Sequence, residues 1–233
     1  MKGTKALFLS VMGALTLGSA IASGAFYERN AYCEIADIEH YGREDELVAY
    51  KPVIYLYPEK TAQVSVTVEP NGGLTCVYPE YSGGWNVTAA PDGTLTAADG
   101  REFGCLFWEG RVNMRPDFSE GFCVKGEDAA QFLEWALTEQ GLTPRERSEF
   151  IIYWLPQMQE NPYNVISFQG EAYESAAPLA VSPAPDSIKR VFMTYYSAQS
   201  PVDIPAQELT GYDRTGFAVL EWGGTRVEQG EQH

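Results

Sequence analysis

Histidine is nearly absent from this 233-residue chain, which contains only His40 and the terminal His233. Catalysis by a Ser-His-Asp or Cys-His arrangement would therefore depend on a single internal histidine. The sequence also lacks a GxSxG elbow, an HExxH helix, a P-loop, a GxGxxG fingerprint and an EF-hand loop. No CxxC pair is present to hold a metal ion. These absences argue against the common catalytic motifs, and we expect neither a metal ion nor another cofactor.

Basic residues are few. Lysine and arginine together number 16 against 32 aspartates and glutamates, so the formal net charge is −16. An acidic surface without a basic stripe repels phosphate backbones, and nucleic acid is therefore not expected as a partner. Aromatic residues make up 13% of the chain and charged residues only 21%, which is typical of a folded protein rather than a disordered acidic tail.

The amino terminus has the pattern of a secretory signal peptide. Two lysines in MKGTK are followed by an uninterrupted run of apolar and small residues at 6–22, which ends in Ala-Ile-Ala before Ser23. An uncleaved membrane anchor is the alternative, because the run lies at the short limit of the roughly 17–25 residues that span a bilayer. We expect a secreted or cell-surface protein, signal segment 1–22, with no membrane insertion beyond that segment.

Four cysteines follow this segment. In an oxidising compartment an even number favours disulfides, and four thiols allow three pairings. Cys76 and Cys105 both lie in strand-like stretches, which predicts a bridge between them. Cys33 would then pair with Cys123 and tie the amino-terminal segment to the body.

The remaining chain divides into three parts. Residues 23–50 are acidic and without periodicity, and they predict an irregular lead-in. Residues 51–224 predict one globular unit, because about 210 residues can bury a sizeable core. Residues 225–233 form a short polar tail.

The first part of this unit, 51–115, predicts closely spaced strands. KPVIYLYP at 51–58 is an apolar run typical of a strand covered on both faces, and QVSVTVEP at 63–70 alternates apolar and polar residues. Asn-Gly-Gly at 71–73 supplies a hairpin turn, because these residues tolerate positive φ. Such spacing favours an antiparallel sandwich or barrel.

A helical hairpin is predicted at 126–155. Its second helix opens with Thr143 as the cap and Glu146 as the third residue of a capping box, and Pro156 is expected to end it. Strand-like stretches then resume over 163–224. The fold class is therefore α+β: a sandwich or barrel-like sheet, a helical hairpin, and further mostly antiparallel strands.

Five blocks of the sequence carry a resemblance: KPVIYLYPEKT, GWNVTAAPDGTL, LFWEG, GLTPRERSEFIIYWLPQM and GFAVLEWGG. The chain resembles, through these blocks, a group of uncharacterised bacterial proteins that are often exported. The blocks are scattered over 51–224, so the resemblance implies that this stretch is one unit. It implies no activity, ligand or catalytic residue.

Two acids stand among aromatic residues, Glu109 in LFWEG and Glu221 in LEWGG. Glycoside hydrolysis uses two carboxylates, one of which is kept protonated by apolar surroundings. Glu109 and Glu221 are therefore the catalytic candidates. Aromatic rings offer stacking faces for sugars, and the ligand-binding candidates are Tyr55, Tyr57, Trp108, Tyr153, Trp154 and Trp222.

The competing interpretation is that both acids are structural. A glutamate in a buried strand often pairs with an arginine and fixes the register without catalysis. Two main hypotheses remain open: an extracytoplasmic domain that binds a glycan or a peptide, and an acid-dependent glycosidase-like hydrolase. A third is a domain that only packs against another protein, which the acidic charge predicts to be basic. The available arginines are Arg111, Arg115, Arg190, Arg214 and Arg226.

Overall fold

The computed structural model describes residues 46–228. The predicted signal segment, the lead-in up to residue 45 (Cys33 included) and the tail beyond residue 228 lie outside the described residues. The strands are β1 Glu46–Tyr57, β2 Ala62–Val68, β3 Leu74–Tyr78, β4 Trp85–Ala89, β5 Leu95–Thr96, β6 Glu102–Phe103, β7 Leu106–Asn113, β8 Phe122–Lys125, β9 Tyr163–Gln169, β10 Leu179–Ser182, β11 Ser187–Ala198 and β12 Ala218–Arg226. The helices are α1 Ala129–Glu139, α2 Pro144–Met158 and α3 Glu171–Ala176, and a 3₁₀ turn at Gly126–Asp128 precedes α1.

The strands form two sheets. The larger has seven strands in the order β3-β7-β1-β12-β11-β9-β8, and the smaller has five in the order β10-β2-β4-β5-β6. All pairs between named strands are antiparallel except β11 with β12. The late strands β9, β11 and β12 thus join the same sheet as the early strands β1, β3 and β7. The predicted α+β class is confirmed, and the described strands form a sandwich rather than a closed barrel.

Each face of the seven-stranded sheet covers a separate core. Alternate side chains of β1 enter different cores, because successive residues of a strand point to opposite faces. Ile54 and Leu56 pack with the five-stranded sheet, whereas Val53 and Tyr55 pack with α1 and α2. The molecule is therefore layered as sheet, sheet and helices, and β1 is buried on both faces as its apolar run predicts.

The second helix starts where its sequence predicts. Thr143 accepts a hydrogen bond from the Glu146 N–H, and the Glu146 side chain accepts one from the Thr143 N–H, which completes the capping box. The helix does not end at Pro156, as expected, but continues to Met158. Proline removes the hydrogen bond to the carbonyl of Ile152, and its ring crowds that carbonyl. Ile152 is 73% exposed, so water can replace that bond.

Three other boundaries differ from the prediction. Residues 46–50 of the predicted lead-in belong to β1, where they pair with β7. The short edge strand β8 and the six-residue α3 were not predicted. Both are short, so neither shows a recognisable hydrophobic period.

Both predicted disulfide pairings are wrong, because Cys105 and Cys123 are free thiols. Cys76 lies opposite Glu109 in the β3–β7 pair, four residues along β7 from Cys105. At about 3.3 Å per residue this separates the two cysteines by roughly 13 Å, whereas a disulfide needs Cα atoms within about 7 Å. Cys123 cannot pair with Cys33 while its thiol is free; its sulfur accepts a hydrogen bond from the Val202 N–H instead.

Candidate functional site

Glu221 lies in the middle of β12, between Ile54 of β1 and Arg190 of β11. It is fully buried in the core between the two sheets. Its carboxylate accepts hydrogen bonds from Arg190 Nε at 2.6 Å, from Trp108 Nε1 at 2.9 Å and from the Tyr173 hydroxyl at 3.1 Å. Three buried donors therefore hold this acid, which is the structural arrangement that its sequence context also allowed.

Arg190 completes this network. Burial opposes its charge, but Glu221 outweighs that cost and raises the pKa of the guanidinium above its ordinary value. Its Nη1 donates to the Ala177 carbonyl at 2.7 Å, and its guanidinium lies 4.6 Å from the centre of the Tyr173 ring. Its Nη2 is buried and makes no hydrogen bond among the described residues. Nε and Nη1 of Arg190 therefore have acceptors, and Nη2 has none among the described residues.

Glu109 lies on the opposite face of the same sheet. Its neighbour Trp108 points to Glu221, so Glu109 must point to the helix side. Its carboxylate accepts a hydrogen bond of 3.1 Å from the Lys51 N–H, and burial raises its pKa. Because the sheet separates the two carboxylates, they cannot flank one glycosidic bond. The predicted catalytic pair does not form.

A β-bulge surrounds Glu109. Lys51 has φ +60° and is the one non-glycine residue with positive φ in the part of the chain that the structure describes. The register of β1 shifts here against both β7 and β12. The Lys51 ammonium lies 5.3 Å from the centre of the Phe107 ring and 5.8 Å from that of Tyr153. Tyr153 and Glu109 therefore share one surface, on which the lysine already covers the rings.

The other aromatic candidates offer no stacking face for a sugar. Trp108, Trp154 and Trp222 are buried in the two cores. Tyr55 is buried and donates a hydrogen bond to Glu149, and half-buried Tyr57 donates one of 2.7 Å to Glu146. These side chains hold α2 on the sheet. The predicted ligand-binding residues are thus mostly core residues and are not gathered in one groove.

A gap in the seven-stranded sheet is the feature that sequence reasoning missed. Strand β11 pairs with β12 from Ser187 onward, but it pairs with β9 only from Phe192 onward. The chain leaves the sheet after Gln169, turns at Gly170 and enters α3. Residues 187–191 therefore have a strand neighbour on one side only, among the described residues.

A cavity of about 280 Å³ lies along this unpaired edge. Gly170, Glu174 and the segment 207–210 also line it, and Lys189 donates to the Thr210 carbonyl at 2.7 Å. Ile188, which is 46% exposed, and Arg190 lie on the edge itself. We call this cavity, with the edge 187–191, the β11 slot.

A second cavity of about 270 Å³ adjoins the slot and shares Phe168, Gln169, Gly170 and Gln207 with it. Its other lining includes Asp117, Glu120 and Glu171, and no lysine or arginine of residues 46–228 lines it. We call it the acidic cavity.

Two glutamines hold the wall that both cavities share. The Gln207 side chain bonds to the Phe168 N–H at 2.9 Å and to its carbonyl at 2.8 Å. The Gln169 amide donates to the Asp117 carbonyl at 3.0 Å and to the Thr194 hydroxyl at 2.8 Å. These bonds satisfy the polar groups at the end of β9 and leave the β11 edge as the open one. The one sequence signal was length, because the strand-like stretch IKRVFMTYYS at 188–197 is longer than NVISFQ at 164–169.

Comparisons with protein-family models, with curated proteins and with solved structures found no match. Within the described residues, no group of three or more acidic, histidine or cysteine side chains could hold a metal ion. No helix of residues 46–228 is both long and apolar enough to cross a membrane.

Proposed function

We propose that this chain is an exported binding protein and that the β11 slot takes a short extended peptide as an added strand. The observation that carries the proposal is the edge of β11 at 187–191, which lacks a strand neighbour on one side and borders a cavity. Export is supported by the signal-peptide pattern at 1–22.

Backbone groups in a partly enclosed edge need partners, which water or another strand can supply. An extended peptide supplies a whole row of them, and this is how peptides add to open sheet edges. Five residues of edge extend over about 17 Å. A cavity of about 280 Å³ lies just below the usual range for ligand sites, so it accommodates only two or three residues of the peptide. The peptide would lie in line with β9 and antiparallel to β11.

A peptide fits this geometry better than a glycan does. Sugar sites use exposed aromatic faces, and the tryptophans proposed for that role are buried. Ile188 instead offers a branched aliphatic side chain, which is typical of contacts with alternate side chains of a strand. The hydrolase hypothesis loses its support, because its two carboxylates lie on opposite faces of the sheet.

Selection from a displayed library of seven-residue peptides, followed by fluorescence anisotropy, provides the test. Every second N–H of an added strand points to the neighbouring strand. N-methylation should therefore abolish binding at the peptide residues whose N–H points to β11 and be tolerated at the residues between them. Strand addition would be contradicted if no peptide is selected, or if N-methylation weakens binding equally at both alternating sets of residues.

A matched pair of protein variants locates the site. Ile188→Ser removes an aliphatic contact at the slot, whereas Ile152→Ser makes the same change on the exposed face of α2. Ile188→Ser should lose about 1 kcal/mol of binding free energy, which weakens peptide binding about fivefold, whereas Ile152→Ser should bind like the wild type. Equal affinities of the two variants would place the peptide elsewhere.

A further inference from the structure

Cys76 differs from the other two cysteines of the described residues. It is disulfide-bonded, whereas Cys105 and Cys123 are free thiols. The chain has four cysteines in all, so Cys33, which lies outside the described residues, is the one cysteine left to pair with Cys76. The pair formed by these two cysteines belongs to neither of the pairings that the sequence predicted.

The register of β3 decides to which face of the sheet Cys76 points. Cys76 lies directly opposite Glu109 of β7, and residues directly opposite each other in an antiparallel pair share one face. Because Glu109 points to the helix side, Cys76 points there as well. β3 is the edge strand of the seven-stranded sheet, and no strand of residues 46–228 pairs with its outer side. Another segment of the chain can therefore approach Cys76 from outside the sheet.

The stretch that precedes β1 is long enough to reach Cys76. Glu46, where β1 begins, pairs with Asn113 of β7, four residues along that strand from Glu109. Four residues at about 3.3 Å and two strand spacings of about 4.8 Å separate Glu46 from Cys76 by roughly 16 Å. Thirteen residues lead from Cys33 to Glu46. At about 3.3 Å each they extend over up to about 43 Å, so the bond requires no rearrangement of the sheet.

We propose that a disulfide joins Cys33 to Cys76 and anchors the segment after the signal peptide to β3. Its formation joins the two sulfur atoms and removes two protons and two electrons from the thiols. A disulfide oxidant of the export compartment takes up the electrons by thiol–disulfide exchange and leaves as a dithiol. Cleavage before Ser23 keeps Cys33 in the mature chain. Such bonds persist in oxidising compartments and are rare in the cytosol, so the bond agrees with the export that residues 1–22 predict.

Tryptic peptide mapping tests the bond directly, because the four cysteines fall in four different peptides. Trypsin should release Cys33 in 30–43, Cys76 in 61–101, Cys105 in 102–111 and Cys123 in 112–125. The full chain, purified from an oxidising export compartment, is unfolded with a thiol-blocking reagent and digested without reductant. We expect 30–43 joined to 61–101, and reduction should separate them. The other two peptides should each carry one blocking group.

Two matched variants test whether the bond holds the segment to the folded sheet. Cys33→Ser removes the proposed partner and leaves β3 unchanged. Because a disulfide stabilises a protein by restricting its unfolded chain, this variant should unfold at a lower urea midpoint than the oxidised wild type and at the same midpoint as the reduced wild type. Cys123→Ser makes the same chemical change at a free thiol. Its urea midpoint should fall on reduction by as much as that of the wild type.

The contrary outcomes are distinct. A linked species that contains 102–111 or 112–125 would assign Cys76 to another cysteine, and a disulfide-linked dimer would assign it to a second chain. Four blocked thiols would show that no bond forms. Each of these three results would overturn the proposal. If Cys33→Ser unfolds at the midpoint of the oxidised wild type, the bond does not anchor the segment to the folded sheet, and the proposal is wrong in that respect.

Discussion

Replacement of Glu221 by glutamine should destabilise the protein strongly. The change keeps the size of the side chain and one oxygen that can accept from Trp108, but it removes the charge that balances Arg190. Loss of one partner from a buried ion pair costs about 3–5 kcal/mol, because the other charge stays buried without compensation. That is a large part of the roughly 5–15 kcal/mol by which a domain is stable. For a chain of this length, it lowers the melting temperature by about 6–20 °C.

Urea unfolding followed by tryptophan fluorescence measures the loss. Glu109→Gln is the matched control, since it makes the same chemical change on the opposite face of the sheet, where no arginine of the described residues holds the carboxylate. We expect the midpoint of Glu109→Gln to stay near that of the wild type. A loss below about 1 kcal/mol for Glu221→Gln, or equal losses in both variants, would refute the structural role that we assign to Glu221.

Three further predictions concern ionisation and thiols. Burial opposes ionisation of Glu146, but hydrogen bonds from Arg214, the Thr143 N–H and Tyr57 outweigh it and lower its pKa. The ionised Glu146 therefore stabilises the folded state at pH values above the pKa of the unfolded carboxyl, and this contribution is lost as the pH falls through the pKa of the folded state. In urea titrations at different pH, the free energy of unfolding of Glu146→Gln should fall less on acidification than that of the wild type. Burial raises the pKa of Glu109, so the wild type should lose stability as the pH rises through that value, whereas Glu109→Gln should not. Alkylation without reduction should modify Cys105 and Cys123 after unfolding, and mass spectrometry should find any disulfide between Cys33 and Cys76; a bridge that includes Cys105 would contradict the structure.

The local elements of the fold follow from the sequence. Strand β4 coincides with WNVTA, in which buried residues alternate with more exposed ones. The capping box at Thr143 forms as predicted, because it depends only on residues three apart. Gly141 ends α1 with φ +78°, a conformation that glycine adopts without a steric penalty.

The order of the strands could not be predicted. Residues far apart in the chain decide it: β1 lies between β7 and β12, although β12 begins more than 150 residues later. The disulfide prediction failed for the same reason. Cys76 and Cys105 both lie in strand-like stretches, but the register of β3 against β7 keeps them apart.

The candidate site could not be predicted from the sequence either. Glu109 and Glu221 have similar sequence surroundings, yet the pleat of one sheet turns them to opposite faces. The β11 slot exists because the chain turns away at Gly170, while five residues of β11 extend beyond the end of β9. This difference in length can be seen only when the strand pairing is known. The arginine pairing of Glu221 was among the alternatives that the sequence allowed, but the choice of Arg190 from five arginines required the structure.

Backbone hydrogen exchange at residues 188–191 tests the central claim most directly. The amides of this edge that face the slot have no strand neighbour there among the described residues, so they should exchange quickly in the free protein. Saturation with the selected peptide should slow alternate amides of this stretch, while exchange at the exposed face of α2 stays unchanged. Bound peptide with no slowing at 188–191 would contradict strand addition at β11.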